Sequence, residues 1–459
     1  MKKWYNINIS RGGEYMQIPN SITYILDRLE QAGYEAYIVG GCVRDALMGH
    51  KPHDFDITTS ALPEETMQVF SDMRVIPTGL KHGTVTVLYD SEPIEITTYR
   101  IDGEYADGRH PDEVRFTRSL AEDVSRRDFT MNGIAYSPER GLFDINCGAE
   151  DIRRGVIRCI GDPDRRFGED ALRILRALRF SAVLGFEIEK DTADSLRRNK
   201  ELLVNVSGER ILTELQKLLC GANAGAVLRS YPEVFAQMIP ELAPCIGYEQ
   251  HNRYHSLTLY EHLVEAVENT PAEAGLRLAM LLHDIGKPLT QTEGEDGQWH
   301  FYGHAEKSAE LSGNVLDRFH ASSALRLRVH EIIKYHGMVP ENTDKFIRRR
   351  LAKHGLSMFR DIMLAHIADD SAKADFARER IPVWQDIIRR AVEIDSQKPC
   401  LSIKQLAVNG KDLSVLIPPS PKTGEVLKFL LDGVLDGRFT NDRDELFVQA
   451  RRYLDEKTE

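Results

Sequence analysis

The chain has 459 residues, 42% of them hydrophobic and 28% charged, and a formal net charge of −12. Its length exceeds what one hydrophobic core supports and predicts roughly two to four domains, while no apolar run reaches the roughly 18 residues of a membrane-spanning helix, which excludes that class. The acidic total does not exclude a nucleic-acid partner, because phosphates respond to the local field, and residues 151–180 carry eight arginines (153, 154, 158, 165, 166, 173, 176, 179) against five acids.

The N-terminal MKKWYNINISRGGEYMQIP has two lysines without an apolar core behind them, so it does not read as a signal peptide. The fifteen residues before Met16 lack pattern, and Arg11-Gly12-Gly13-Glu14 can be written in purine-rich codons resembling a ribosome-binding site, which predicts translation from Met16. Six cysteines (42, 147, 159, 220, 245, 400) form no CxxC pair or zinc spacing, as expected of reduced packing thiols in a cytoplasmic protein.

From residue 21, Ile22, Ile25, Leu26 and Leu29 recur at helical spacing and lead into the strand-like Ala36-Tyr37-Ile38-Val39, which ends at Gly40-Gly41. FDITT, Thr84 to Tyr89 and Ile94 to Tyr99 are rich in β-branched residues, with Asp90-Ser91 as a turn. Residues 21–140 therefore read as a mixed α/β domain. After about residue 165 the periodicity is helical to the C-terminus.

Asp54 and Asp56 in a strand present two carboxylates to one face, a geometry that suits Mg²⁺ when substrate phosphates complete the shell. Glu95, between Ile94 and Ile96, is the natural third acid; a charged turn and an outward-facing Glu95 explain the same residues. Gly40, Gly41 and Arg44 offer close backbone approach and charge for a phosphate, although a tight strand-to-helix turn needs the same glycines. Arg126 to Asn132 pack two guanidiniums, a carboxylate and an amide suited to ribose and phosphates, or to a helix cap. In EDALRILRALR, Leu172, Leu175 and Leu178 are expected on a core face, with Asp170, Arg173 and Arg176 sharing the other face of the helix. A carboxylate beside a guanidinium matches the hydrogen-bonding edge of cytosine or adenine and not of uracil or guanine, while an exposed salt bridge is the ordinary fate of such a pair.

Further on, His262, His283-Asp284-Ile285-Gly286-Lys287, His304, His336 and Asp369-Asp370 lie on helical, otherwise apolar stretches. Imidazoles and carboxylates so gathered suit a divalent metal, or only a stable fold.

The order Gly-Gly-x-Val-Arg-Asp with D-x-D, then RRDFTMN, then GDPDRRFGEDALRILRALRF and SGERILTELQKLL, resembles the class II tRNA nucleotidyltransferase and bacterial poly(A) polymerase superfamily. The resemblance implies a multidomain α+β protein: an N-terminal extension (1–20), a nucleotidyltransferase head with a small mixed β-sheet (21–140), then an all-α neck with the base-selecting helix (141–205), body (206–250), HD region (251–375) and tRNA-binding tail (376–459). It implies Asp54, Asp56 and Glu95 as catalytic acids with Mg²⁺, Gly40, Gly41 and Arg44 at the triphosphate, and Arg127, Asp128 and Asn132 at the ribose. Asp170 and Arg173, with Arg176 beside them, would template the base, Tyr105 to Arg109 would form a mobile loop, and Glu209-Arg210 would brace the neck. Ala171 stands where Pro is commoner, and Gly133-Ile134 where Ala-Leu is frequent. Thr78 to Thr84 looks more like the type that adds CCA to the tRNA 3′ end from CTP and ATP than like poly(A)-making members; CC-only or A-only addition shares these motifs.

The second cluster resembles the HD phosphohydrolase domain. That implies a divalent metal of unknown identity on His262, His283, Asp284 and Asp369, a second on His304 and His336, and Lys287 at a phosphate. Asp370 replaces a commonly basic residue and is expected to weaken phosphate binding. An HD phosphohydrolase with a non-catalytic RNA-binding head is the alternative of another class.

Overall fold

Ile22, Ile25, Leu26 and Leu29 are buried along one face of the helix Asn20–Gln31, as their spacing predicts. This helix lies in the first of two units, Met1–Met238 and Ile239–Glu459, in a computed structural model that describes residues 4–8, 15–52, 54–102, 114–295 and 297–456. Strands β1 (Trp4–Asn8) and β2 (Tyr15–Pro19) pair as a hairpin. Then come β3 (Ala36–Val39), β4 (Asp56–Thr59), β5 (Arg74–Gly79), β6 (Thr84–Tyr89), β7 (Glu92–Thr98), the separate pair β8 (Arg100–Asp102) and β9 (Val114–Phe116), and β10 (Ala135–Ser137) and β11 (Gly141–Phe143). Seven of them form one mixed sheet in the order β11-β10-β3-β4-β7-β6-β5, in which only β4 and β7 run parallel.

Asp90 and Ser91 both take positive φ (47° and 69°), the two-residue turn whose twist suits the β6–β7 hairpin. Along β7, Ile94, Ile96 and Thr98 are buried and Glu95 is exposed, the period-two pattern of a one-sided strand. The register pairs Ile57 with Ile96 and Val39 with Asp56. Asp56 and Glu95 each precede one of the paired isoleucines, so they share the sheet face opposite those isoleucines.

Helices follow the sheet. Pro163–Glu169, Leu172–Leu184 and Gly208–Leu219 carry the motif residues, and Ile174, Leu175, Ala177 and Leu178 of the second are fully buried. In the second unit the helix Ala274–Leu282 is buried on all sides, and Leu259–Glu268, Ser323–His336 and Asp344–Ser371 surround it. Gly355 (φ 72°) breaks the last of these, and Ile347, Leu351, Phe359 and Met363 on either side of it pack against Trp384, Ile387 and Ala391 of Ile381–Ser396. The segment beyond residue 400 has its own core around Val408, Leu413, Val426 and Leu446. None of the six cysteines is in a disulfide. No described helix is long and apolar enough to cross a membrane.

Two candidate active sites

In the first unit, β3 ends at Gly40, whose φ of 82° is open to glycine at little cost, and the helix Gly41–Leu47 starts at once. A side chain at Gly40 would stand 3.2 Å from Arg127 Nη1, so the missing Cβ leaves room for that guanidinium. Arg44 donates through Nε and Nη2 to Asp45 Oδ1 (2.9 and 2.7 Å) and through Nη1 to Asn132 Oδ1 (2.9 Å). Asn132 Nδ2 donates to Asp128 Oδ1 (3.0 Å), and Asp128 Oδ2 accepts from Arg176 Nε (2.7 Å). One polar chain thus runs from Asp45 through Arg44, Asn132 and Asp128 to Arg176. Burial would raise the Asp128 carboxyl, but Arg176 outweighs it and holds it at about 2. The ring of Phe180 lies under three guanidiniums, those of Arg44, Arg176 and Arg179.

Asp54 and Asp56 flank Phe55 at the start of β4. Although Asp56 is solvent-exposed at the head of the strand, partial desolvation raises its carboxyl against the pull of Arg127, and the Asp54 charge adds to the rise. Two neighbouring hard oxygen donors are a fitting donor set for Mg²⁺. Glu95 lies on the same face by register, one strand away. Among the described residues, the groups of three or more ligand-type side chains with donor atoms within 4.8 Å all lie in the second unit, so Glu95 does not close on the aspartate pair here.

The helix Leu172–Leu184 starts two residues after Asp170, so Asp170 does not share its face with Arg173 and Arg176 as the spacing suggested. Instead Asp170 is extended (φ −147°), caps the helix by accepting from Leu172 N (3.1 Å), and pairs with Arg210 Nη2 (2.8 Å). Ala171, where Pro is commoner, keeps a proline-like φ of −61°. Arg173 is buried, not solvated: its Nη1 bonds Glu169 Oε2 (2.7 Å) and the Arg166 carbonyl (3.1 Å). Each member of the expected base reader is therefore fixed by a different neighbour.

Asp123, which no sequence motif above includes, is fully buried, accepts from Arg126 Nη2 (2.8 Å) and pairs with Arg127 (3.5 Å). Its i+3 and i+4 spacing to two arginines was the available signal. Tyr105 to Arg109 lie outside the described residues.

The second unit brings together every histidine and aspartate expected there. His262 Nε2, His283 Nε2, Asp284 Oδ2 and Asp369 Oδ1 converge, with His262 Nε2 3.2 Å from both His283 Nε2 and Asp369 Oδ1 and 3.3 Å from Asp284 Oδ2. Asp284 turns its other oxygen to His304 Nε2 (3.4 Å) and His336 Nε2 (3.3 Å). Each imidazole has its Nδ1 against a carbonyl: Ala372 for His262 (3.2 Å), Met280 for His283 (2.7 Å), Phe301 for His304 (2.6 Å) and Ile333 for His336 (2.5 Å). A carbonyl only accepts, so Nδ1 keeps its proton in each ring and Nε2 is the nitrogen left to a metal. Asp284 Oδ1 and Asp369 Oδ1 are buried without hydrogen-bond partners. Burial would lower His283, yet Asp284 and Asp369 raise it to about 9. Imidazole nitrogens and unpaired carboxylate oxygens gathered at one centre are donors that fit divalent metals.

Lys287 Nζ stands 2.6 Å from Asp284 Oδ2. Asp370 is no bare charge: Oδ1 takes Arg380 Nη2 (2.5 Å) and Oδ2 takes the Trp384 indole N–H (2.8 Å). Asp370 thus holds a guanidinium beside the cluster.

Three family models match the chain: the poly A polymerase head domain over residues 36–158, the probable RNA and SrmB-binding site of polymerase A over 185–246, and the HD domain over 253–372. A CCA-adding enzyme of Ligilactobacillus salivarius (strain UCC118) is 32% identical over 435 residues, 94% of this chain and 96% of that protein. One from Geobacillus stearothermophilus is 33% identical over 431 residues, 92% and 94% of the two chains. Among solved structures, the Bacillus stearothermophilus CCA-adding enzyme in complex with CTP superposes with a TM-score of 0.73 at 30% identity, covering 95% of this chain and 98% of that one. A Thermotoga maritima CCA-adding enzyme complexed with tRNA shares the fold, with a TM-score of 0.57 at 21% identity and 95% coverage of both chains.

Proposed function

This chain belongs to the family of CCA-adding enzymes, and from that premise we propose how its residues divide the work of finishing the tRNA 3′ end. It is a tRNA nucleotidyltransferase that adds CCA from CTP and ATP without a nucleic-acid template. The 3′-oxygen of the tRNA attacks the α-phosphorus, the bond to the β-phosphate breaks, and pyrophosphate leaves. Asp54 and Asp56 would hold Mg²⁺, with Glu95 beside them as the third acid. When bound, that ion supplies Lewis-acid activation of the hydroxyl and charge neutralisation at the leaving group.

The protein's own part is positioning. Gly40, Gly41 and Arg44 receive the triphosphate, with Arg44 oriented by Asp45 and Asn132. Arg127, Asp128 and Asn132 face the ribose, and Arg176 keeps Asp128 ionised. Asp170 accepts from the exocyclic amine of cytosine or adenine and Arg173 donates beside it, so uracil and guanine meet donor against donor or acceptor against acceptor. The observation that supports this division is the unbroken chain from Asp45 to Arg176, which ties the triphosphate side to the base-reading helix.

The test supplies the protein with tRNA transcripts ending before CCA and labelled CTP, ATP or both. Products that stop after three additions are expected, and long A tails on unrelated RNAs would overturn the assignment in favour of poly(A) synthesis.

For the HD cluster we propose metal-dependent phosphoester hydrolysis. His262, His283, Asp284 and Asp369 would hold one divalent ion and Asp284, His304 and His336 another, and such a pair supplies a water nucleophile at neutral pH. Lys287 is placed to neutralise the phosphate. Replacing His283 and Asp284 should abolish phosphate release and spare CCA addition; a wild-type protein that hydrolyses no phosphoester with any divalent metal would sink this second activity. A cytoplasmic location fits the tRNA substrate.

A further inference from the structure

The HD metal-ligand cluster opens into a cavity of about 410 Å³, within the usual range for small-molecule sites and far more than one phosphate fills. Two cations beyond Lys287 line it. Lys373 Nζ lies 2.5 Å from Asp369 Oδ2, and Arg380 Nη2 2.5 Å from Asp370 Oδ1. Asp370 is 3% exposed and fixed on its other oxygen by Trp384, which is itself packed into the Ile387 core, whereas the Arg380 side chain is 46% exposed. A buried anchor thus holds a solvent-accessible guanidinium on the cavity wall. Arg380 and Trp384 lie past residue 372, where the HD family match ends. The mouth also carries a flat surface, for His300 and Tyr302 stack at 5.5 Å and 16°, and Tyr302 is 76% exposed.

The metal ligands and Lys287 account for one phosphate. We propose that Lys373 and Arg380 form a second anion subsite, held in place by Asp370 and Trp384, so that the HD cavity selects nucleotides carrying two separate phosphates on one nucleoside. Arg380 grips the non-reacting phosphate through its fork, and the exposed ring of Tyr302 takes the base. This rests on the hydrolase reading above. In the reaction water adds to the phosphorus of the first phosphate, its ester P–O bond breaks, and the departing ribose oxygen takes a proton. The two-phosphate pattern occurs in a free nucleoside 3′,5′-bisphosphate and at an RNA end bearing a 3′-phosphate.

The test uses the full-length protein with Mn²⁺, Co²⁺, Ni²⁺ or Mg²⁺ and three probes: adenosine 3′-monophosphate, adenosine 3′,5′-bisphosphate and a short RNA ending in a 3′-phosphate. The wild type should favour the bisphosphate over the monophosphate in kcat/KM by about tenfold, the scale of one charge-assisted contact, and Arg380→Ala and Asp370→Asn should erase that ratio. Calorimetric binding of the bisphosphate to metal-free protein gives a readout independent of turnover, and Arg380→Ala should weaken it while Arg380→Lys restores part. Equal binding of the bisphosphate by wild type and Arg380→Ala overturns the subsite, whatever the activity. Binding that depends on Arg380 without phosphate release from any probe overturns hydrolysis but supports the subsite. A lower KM for the RNA than for the bisphosphate assigns the subsite to RNA ends, and the reverse assigns it to free nucleotides.

Discussion

Asp45 touches no proposed reacting group, yet Asp45→Ala should weaken CTP and ATP binding. Its Oδ1 accepts two hydrogen bonds from Arg44, at 2.9 and 2.7 Å, on a side chain 33% exposed. A charge-assisted hydrogen bond contributes about 1.5–3 kcal/mol, and solvent screening at this exposure reduces the figure to about 1–2 kcal/mol. What remains on Arg44 is the Asn132 bond at 2.9 Å and the face of Phe180 at 5.1 Å, which leaves the guanidinium to be ordered anew at each binding event. The CTP KM on a tRNA transcript lacking CCA should rise about 5- to 30-fold, with kcat and the tRNA KM much less affected. Asp45→Asn, whose amide oxygen still accepts, should fall between. The competing effect is that an anion has been removed beside a triphosphate site, which alone would tighten binding. A CTP KM that is unchanged or lower in Asp45→Ala would show that Asp45 acts as a like charge and not as a positioner, and would refute the reasoning.

Arg210→Ala removes the partner that fixes Asp170 Oδ2 at 2.8 Å, so discrimination of CTP over UTP should drop by about tenfold, read from competition between labelled nucleotides; a uniform loss of rate with unchanged discrimination would contradict it. Gly40→Ala forces a φ of 82° and a methyl 3.2 Å from Arg127 Nη1, so nucleotide KM should rise at least about tenfold at a stability cost of only about 1–2 kcal/mol, measured by kinetics alongside thermal melts. Burial, and then Glu139, raise the Glu30 carboxyl to about 7 from 4.5. Between those values the folded state binds more protons than the unfolded one, so stability falls as pH rises through this window. Glu30→Gln should therefore melt a few degrees higher than wild type at pH 8 and lose that advantage at pH 5; equal melting temperatures at pH 8 would count against it.

What could be read from the sequence was whatever local spacing determines. The face of the Asn20–Gln31 helix, the Asp90-Ser91 turn and the paired aspartates at 54 and 56 were visible in this way, whereas the grouping of the second unit's histidines and aspartates into one cluster was implied by the resemblance to the HD domain. Partnerships set by chain reversal were not. Asp170 finds Arg210 forty positions on, and Arg44 meets Asn132 eighty-eight positions away. The expectation that Asp170 shares a helical face with Arg173 failed because a carboxylate near a helix start competes for the unpaired backbone N–H groups, and capping Leu172 took precedence. The carbonyls that set each histidine's proton belong to the backbone and leave no trace in residue type. The partners of Asp370, Arg380 and Trp384, come from the segment beyond the long helix and could not be read from the residues around it.

Asp284 gives one oxygen to each half of the HD cluster, and this makes the order of filling unequal. The half with His262 and His283 has a second carboxylate, Asp369, whereas the half with His304 and His336 has only the shared anion and two imidazoles. A first divalent ion would therefore enter beside Asp369, and a second would have to share an anion already engaged. Dialysis against a weak chelator should empty the halves in reverse sequence, so protein holding one equivalent of metal is a single defined species and not a mixture of two.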